Sequence, residues 1–494
     1  MANAQDALYI LSPFDTLFER VGVVMGWLVE GTVDLATLDR ALGSVVRKWP
    51  MLAGRLETHD VEGNQKLYRV RVPLSGVAED YARYTLTSSS SPYPLSKYMA
   101  LPIPLASDSL PHELFMQPKA PTLTTQWTNG KLPLLHWHVT WFDRYDDSGK
   151  KRPFSCIGVT FPHALFDGLG IARVVHAVEA ELLGREWEPP SIVLEPGVNK
   201  DLLEATLDRA ADEQFAKTGQ THGSSEYHAT GLVTTWWVFM YFLWAIWQEK
   251  WHGGRRRLLL MPAEAFGKLV DETRAAAAKE QGDKPEDGRV QLTRGDILAA
   301  FVFKNTFCDG YLPPESIVSM SSLASLRRPT FFSGALATYP HNCVIPLPYP
   351  LYTMRKLEDM TIPTLATQFA EARIEFKQEE ALLSREVLRR GAREKLSSIP
   401  FDTRARESMS FSNMVIANIV NIDWTGAGRN PGDVSRTVCR YKTLFPNPQM
   451  QVANTVVAAG YLDDGTMVMD VYFVKRRLKL LEGAIAKLVE EAER

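Results

Sequence analysis

Cysteine is scarce in this chain. Cys156, Cys308, Cys343 and Cys439 are scattered over 494 residues with no C-x-x-C pair, which argues against a zinc knuckle or a disulfide framework and fits a reducing compartment. An excess of charge of one sign is also lacking, and a net charge of -3 leaves no basic face for nucleic acid, so no nucleic-acid partner is expected. The stretch from Met1 to Tyr9 lacks a basic region followed by an apolar core; no secretory signal is read there, and the cytoplasm is the expected compartment. No serine or cysteine stands in a G-x-S-x-G setting beside a histidine, so nothing signals a covalent acyl-enzyme.

Long apolar runs are missing except for one, from Gly231 to Trp247 (GLVTTWWVFMYFLWAIW). It falls short of the about 20 apolar residues that span a bilayer. Lys250 and Arg255, Arg256 and Arg257 follow it, so peripheral contact with a membrane surface is one reading. A buried helix, or one lining an apolar channel, is the other and the favoured one, because a single mid-chain span would put the two halves on opposite sides of a bilayer.

With 45% hydrophobic and 23% charged residues, a chain of this length exceeds one core and is expected to form about two or three structural units. Gly22 to Val29 reads as a buried strand, and Asp34 caps a helix with Leu35, Leu38, Leu42, Val45 and Val46 on one face, ended by Trp49-Pro50. Tyr68 to Val72 reads as a paired strand, and Ser88 to Ser91 as a loop. His136 and His138 share one face of a strand; with no third ligand evident, no metal is assigned. The stretch from Pro189 to about Ser225 reads as a crossover linker, and Lys279 to Arg289 as a solvated loop. Arg256 to Met261 reads as a strand, Pro262 opens a helix, and Thr293 with Asp296 resembles a capping box. Both halves therefore alternate strands and helices.

The chemistry concentrates in Phe161-Pro162-His163-Ala164-Leu165-Phe166-Asp167-Gly168. Ile157 to Phe161 reads as a strand, while Leu169, Ile171, Val174, Val175, Val178 and Leu182 recur at helical spacing, so His163 stands at a strand-to-helix turn. A neutral imidazole there can accept a proton from a hydroxyl. A core histidine with an N-cap aspartate fits the octapeptide equally well.

The order of motifs resembles the BAHD-type acyl-CoA-dependent acyltransferases of the chloramphenicol-acetyltransferase-like fold, in their fungal branch. Leu11-Ser12-Pro13-Phe14-Asp15 is similar to the family's "LSPLD", 49–56 (WPMLAGRL) to "YPLAGRL", and His163, Asp167 and Gly168 to HxxxDG. Thr293 to Phe303, Leu323 to Arg328 (LASLRR) and Tyr339-Pro340-His341-Asn342 resemble segments of the family's C-terminal half. Where plant members carry DFGWG, this chain has Ile422-Asp423-Trp424-Thr425-Gly426-Ala427-Gly428; Asp423, Gly426 and the preceding Ser412-Asn413 match, but the family's tryptophan has no counterpart.

The resemblance implies an α/β fold of two lobes with mixed sheets and an active-site channel between them: an N-terminal lobe over 1–200, a crossover linker over 201–255 and a C-terminal lobe over 256–494. It implies His163 as general base, with Asp167 pairing with Arg327 and turned away from substrate. It makes Asn342, Ser412, Asn413, Asp423, Trp424 and Gly426 candidates for cofactor or substrate contact, and Arg255, Arg256, Arg257 or Lys268 for coenzyme A phosphates. The co-substrate would be acyl-CoA, acetyl-CoA first, with no permanently bound cofactor, no metal and a monomeric enzyme. The acceptor would be a hydroxyl of a terpenoid or polyketide. Two alternatives stay open: a carrier-protein-dependent condensation enzyme, although the doubled histidine of HHxxxDG is absent, and a channel protein that catalyses a cyclisation without acyl transfer.

Overall fold

The structure is a computed structural model that describes residues 6–18, 21–61, 65–75, 78–148, 150–219, 228–282, 289–444 and 452–494. Strand Phe154–Pro162 is buried at all nine positions, as a central strand covered on both faces must be. It pairs antiparallel with Gly22–Gly31 on one side and His136–Phe142 on the other. Thr85–Ser90 and Val434–Leu444 complete this five-stranded sheet. Helices Leu35–Lys48 and Gly168–Leu182 close one face, where Leu38, Leu42, Val45, Ile171, Val174 and Val178 pack on Ile157, Val159 and Phe161. Asp34 caps the first of them by accepting from the Thr37 amide.

The second sheet has eight strands, whose main path runs from Val344–Pro346 through Ile317–Ser325, Glu407–Asn413, Thr455–Tyr461, Met467–Phe473 and Arg255–Met261 to Ala106–Asp108. Helices Ala263–Gln281, Arg294–Phe307, Ile362–Glu375 and Lys475–Glu493 supply its apolar cover. Thr293 and Asp296 form the reciprocal capping box. Between the sheets, Val24, Leu28 and Cys156 of the first share a buried cluster with Leu258, Leu260 and Val468 of the second. Each sheet borrows a strand across the chain: Val434–Leu444, from the C-terminal half, pairs with Gly22–Gly31, and Ala106–Asp108, from the N-terminal half, pairs with Arg255–Met261.

Two local expectations change. The serines at 88–90 belong to a strand, not a loop: Thr85–Ser90 runs parallel to His136–Phe142, and Thr87 and Ser89 hydrogen-bond the two ring nitrogens of His138 at 2.8 and 3.0 Å. Within the stretch read as a linker, Leu202–Thr218 is a helix capped by Asp201; Leu203, Thr206, Leu207 and Ala211 form a narrow buried stripe that its charged outer face hides in the sequence. The end of that stretch, from 220, lies outside the described residues, as does 283–288 of the loop expected after Lys279.

Candidate active site

His163 stands one residue past the buried strand, and its backbone is fixed on both sides. Its N–H donates to the Val21 carbonyl at 2.8 Å, and its carbonyl accepts from Asn342 Nδ2 at 2.8 Å. Helix Gly168–Leu182 then starts on Asp167, whose Oδ1 accepts from the Gly170 amide at 2.8 Å. The turn must be glycine-rich because its neighbours come close: a Cβ on Gly168 would lie 2.1 Å from Met414 Cε, and one on Gly170 1.9 Å from the Pro340 carbonyl oxygen.

The structure brings Asp167 and Arg327 together in a buried bidentate pair, Nη1 to Oδ2 at 2.8 Å and Nη2 to Oδ1 at 3.0 Å. The Cys343 amide donates to Oδ2 at 3.0 Å, so each carboxylate oxygen accepts two bonds. Arg327 is as fully engaged, since its remaining N–H groups reach the carbonyls of Tyr339 and His341 and the Ser325 hydroxyl. A buried ion pair is tolerable when geometry and hydrogen bonds are this complete.

Burial first, and then the positive charge of Lys442, hold His163 down at a pKa of about 4. The imidazole is therefore neutral at pH 7 and able to accept a proton. Behind it, Asn342 donates its side-chain amide to Asp15 Oδ1 at 2.7 Å as well as to the His163 carbonyl. Asp15 is pushed well above the usual carboxylate range by burial and by the charge of Asp201. His341 braces the next turn: its Nδ1 lies 3.1 Å from the Leu165 carbonyl oxygen, and its ring stacks 6.0 Å from Phe166.

Ser408 and Ser410 of strand Glu407–Asn413 line a cavity of about 280 Å³ with Trp237, Met240, Tyr241, Trp244 and Val452. A smaller cavity of about 40 Å³ shares Val452 and is lined by Arg256, Lys442 and Asp470. A third, of about 240 Å³, shares Arg256 and Tyr472 with it and reaches Tyr441 and Thr443. The two smaller cavities are bounded by strands of both sheets. Among the described residues, no three His, Cys, Asp or Glu side chains converge to hold a metal ion.

With this architecture in place, relatives can be compared. No protein-family model matches the chain. Its backbone is similar to that of TRI101 from F. graminearum, solved with coenzyme A and deoxynivalenol: the TM-score is 0.62 at 11% identity, over 96% of this chain and 97% of that one. The chain has the chloramphenicol-acetyltransferase-like fold. Vinorine synthase superposes over 97% of this chain and 93% of its own, with a TM-score of 0.53 and 13% identity. In sequence the chain is similar to the O-acyltransferase pboC of Aspergillus ustus, 27% identical over 241 residues that make up 47% of this chain and 43% of that protein.

Within the chloramphenicol-acetyltransferase-like fold, several of the candidate residues are held by contacts of their own. Asn342 is wholly buried, and its two amide hydrogens are both engaged by Asp15 and the His163 carbonyl, so none is left to reach an oxyanion or cofactor. Asp423, Trp424 and Gly426 sit at the far end of the Gly168–Leu182 helix. The Asp423 amide donates to Glu179, a Cβ on Gly426 would lie 2.2 Å from the Leu182 carbonyl oxygen, and Trp424 is buried 5.3 Å from the Trp27 ring. At 1.5 Å per residue this end lies about 20 Å from Gly168, so these three residues buttress the helix, in keeping with the mainly structural part that the resemblance implies for this segment. Ser412 and Asn413, in contrast, precede Met414 beside Gly168, and Ser412 shares a strand face with Ser408 and Ser410.

The basic candidates for coenzyme A phosphates are mostly engaged elsewhere. Arg256 pairs with Asp470, Arg257 with Asp108 and Glu482, and Lys268 with the Glu491 carbonyl; Arg255 alone of the four is exposed. Helix Thr235–His252 is not buried as favoured: only Ala245 and Gln248 are. Its Tyr241 and Trp244 line the larger cavity, but Trp236 and Trp251 are 67% and 74% exposed, and Phe239, Leu243 and Trp247 are exposed with them. Sequence reasoning missed Arg440 and Lys442. Their signal is charge at alternate positions of a strand in which both are buried.

Proposed function

We propose that the protein transfers an acyl group from an acyl-CoA thioester to a hydroxyl of an apolar natural product. The observation that carries this reading is a neutral, buried His163 at a strand end whose backbone and following turn are locked by Asn342, Asp167 and Arg327. The names and ligands of similar proteins support it: pboC is an O-acyltransferase, and TRI101 has been solved with coenzyme A and deoxynivalenol. In the proposed reaction, His163 takes the proton from the acceptor hydroxyl as its oxygen attacks the thioester carbonyl. The tetrahedral oxyanion collapses, the C–S bond breaks, and the leaving thiolate recovers the proton from the imidazolium, giving ester and free coenzyme A. Asp167, Gly168 and Arg327 act by position, with Ser412 and Asn413 as the contacts nearest the strand end. Acetyl is the acyl group we assign first, and a terpenoid or polyketide the acceptor, in a monomeric cytoplasmic enzyme.

We assign peripheral membrane contact to the exposed face of Thr235–His252, where Trp236, Phe239, Leu243, Trp247 and Trp251 stand beside the exposed cations Lys250 and Arg255. No helix among the described residues is long and apolar enough to cross a membrane.

Incubation with acetyl-CoA and candidate alcohols, following free thiol, tests the reaction. His163→Ala should lower turnover at least about a hundredfold with an unchanged melting temperature. Turnover within about twofold of the parent would remove the general-base role from His163, whereas no thiol release with any alcohol would favour a cyclisation in the same channel.

A further inference from the structure

Strand Val434–Leu444 carries Arg440 and Lys442 at the lobe interface, 4% and 8% exposed. Among the described residues, Nε and Nη2 of Arg440 are buried without a hydrogen-bond partner. The acid that acts on both side chains, Asp470, is already engaged: its two oxygens accept from Arg256 Nε and Nη2 at 2.8 and 2.7 Å. The carboxylate common to both therefore belongs to Arg256, and Asp167, which also acts on Lys442, is paired with Arg327. A buried cation without a counter-ion sheds its proton or recruits an anion. Lys442 stands at that boundary, held down at about 7 by burial and then by the neighbouring charge of Arg440.

We propose that Lys442 and Arg440 form an anion subsite that binds a carboxylate of the substrate beside His163. The cavity that Lys442 lines with Arg256 and Asp470, about 40 Å³, has room for a few waters or one small polar group, and not for a diphosphate. Its position points the same way, because Lys442 pairs with Met25, and Met25 with Val159 of the strand that ends just before His163, and the charge of Lys442 acts on the imidazole. A thioester reacting at His163 keeps its phosphates a pantetheine arm away. The carboxylate belongs either to the acyl chain, as in a malonyl or succinyl thioester, or to the acceptor. The identity of the substrate rests on the acyl-transfer reading; the existence of the subsite does not.

The test measures binding to the purified full chain by calorimetry. If the acyl chain supplies the carboxylate, succinyl-CoA should bind at least tenfold tighter than acetyl-CoA, with the ratio falling to near one in Lys442→Met and in Arg440→Gln. If the acceptor supplies it, that ratio is near one throughout, and free malonate binds the parent protein but neither variant. Malonate binding should also tighten as pH falls from 8 to 6, as Lys442, facing Arg440, Arg256, Asp470, His163 and Asp167, takes up its proton. Lys442→Gln stands in if the methionine variant does not fold. Equal binding of succinyl-CoA and of malonate by parent and variants, or no binding of either, would overturn the subsite. Loss of binding by both thioesters with malonate binding intact would overturn the acyl-CoA reading and leave the subsite standing.

Discussion

The two ends of helix Gly168–Leu182 are held by different physics. At the first, Asp167 and Arg327 are buried ions whose oxygens and N–H groups are all occupied, and two neutral histidines, His163 and His341, flank them. At the second, contact is mainly close packing with partly buried bonds: Gly426 lies against the Leu182 carbonyl, the Asp423 amide donates to Glu179, and a turn earlier His176 bridges Glu179 and the Ala417 carbonyl. Directional bonds fix an angle, and the first end is where an angle matters, because it aims His163. The second end needs only to keep the helix from sliding, which close packing does.

Breaking the first end should cost most. Arg327→Met leaves the Asp167 carboxylate buried without a counter-ion, a change worth about 3–5 kcal/mol; urea unfolding should register it, together with loss of turnover. Gly426→Ala forces a Cβ against backbone that cannot yield freely, and should cost about 1–3 kcal/mol. The protein that still folds should keep its specific activity. If Gly426→Ala abolished turnover in folded protein, the division between an aiming end and a holding end would be wrong.

Acid separates the ends more finely. His163 and His341 are held at about 4, mainly by burial, so between about 4 and the unfolded value of about 6.5 the unfolded chain binds more protons, and stability falls as pH falls through that window. His176 runs the other way. Burial would lower it, but Glu179 and the Ala417 carbonyl raise it on balance; its contribution is present in full below the unfolded value and fades as pH rises through the folded one. Each group tilts stability by at most about 1.4 kcal/mol per pH unit. Unfolding at pH 7 and pH 5 should show His341→Phe less acid-sensitive than the parent and His176→Gln more so. On the same grounds, turnover should hold from pH 7 down to about pH 5 and fall as His163 protonates near 4.

The first end was far more legible in the sequence than the interface beyond it. His163, Asp167 and Gly168 lie within six residues, and their motif, together with LASLRR, is enough to pair Asp167 with Arg327 by resemblance. Periodicity showed the buried strands and helices directly, because their apolar residues repeat at 2 or 3.6. It failed where a polar residue does a strand's work, as Thr87 and Ser89 do beside His138. It failed again at Thr235–His252, whose hydrophobicity suggested a burial that its neighbours do not supply. Arg440 and Lys442 were illegible for another reason. Their meaning depends on what lies across the lobe interface, and a charged residue in a strand carries no mark of whether a carboxylate waits opposite.

The exchanged strands have a consequence for how this chain must come into being. Val434–Leu444 lies about 400 residues after Gly22–Gly31, so the first sheet waits with an open edge until that distant strand has been made. Pairings of such long sequence separation form slowly, and unpaired edges invite aggregation. A cut between the halves would yield two fragments, each lacking a strand that only the other carries. Such fragments should recombine when co-expressed and precipitate when made alone.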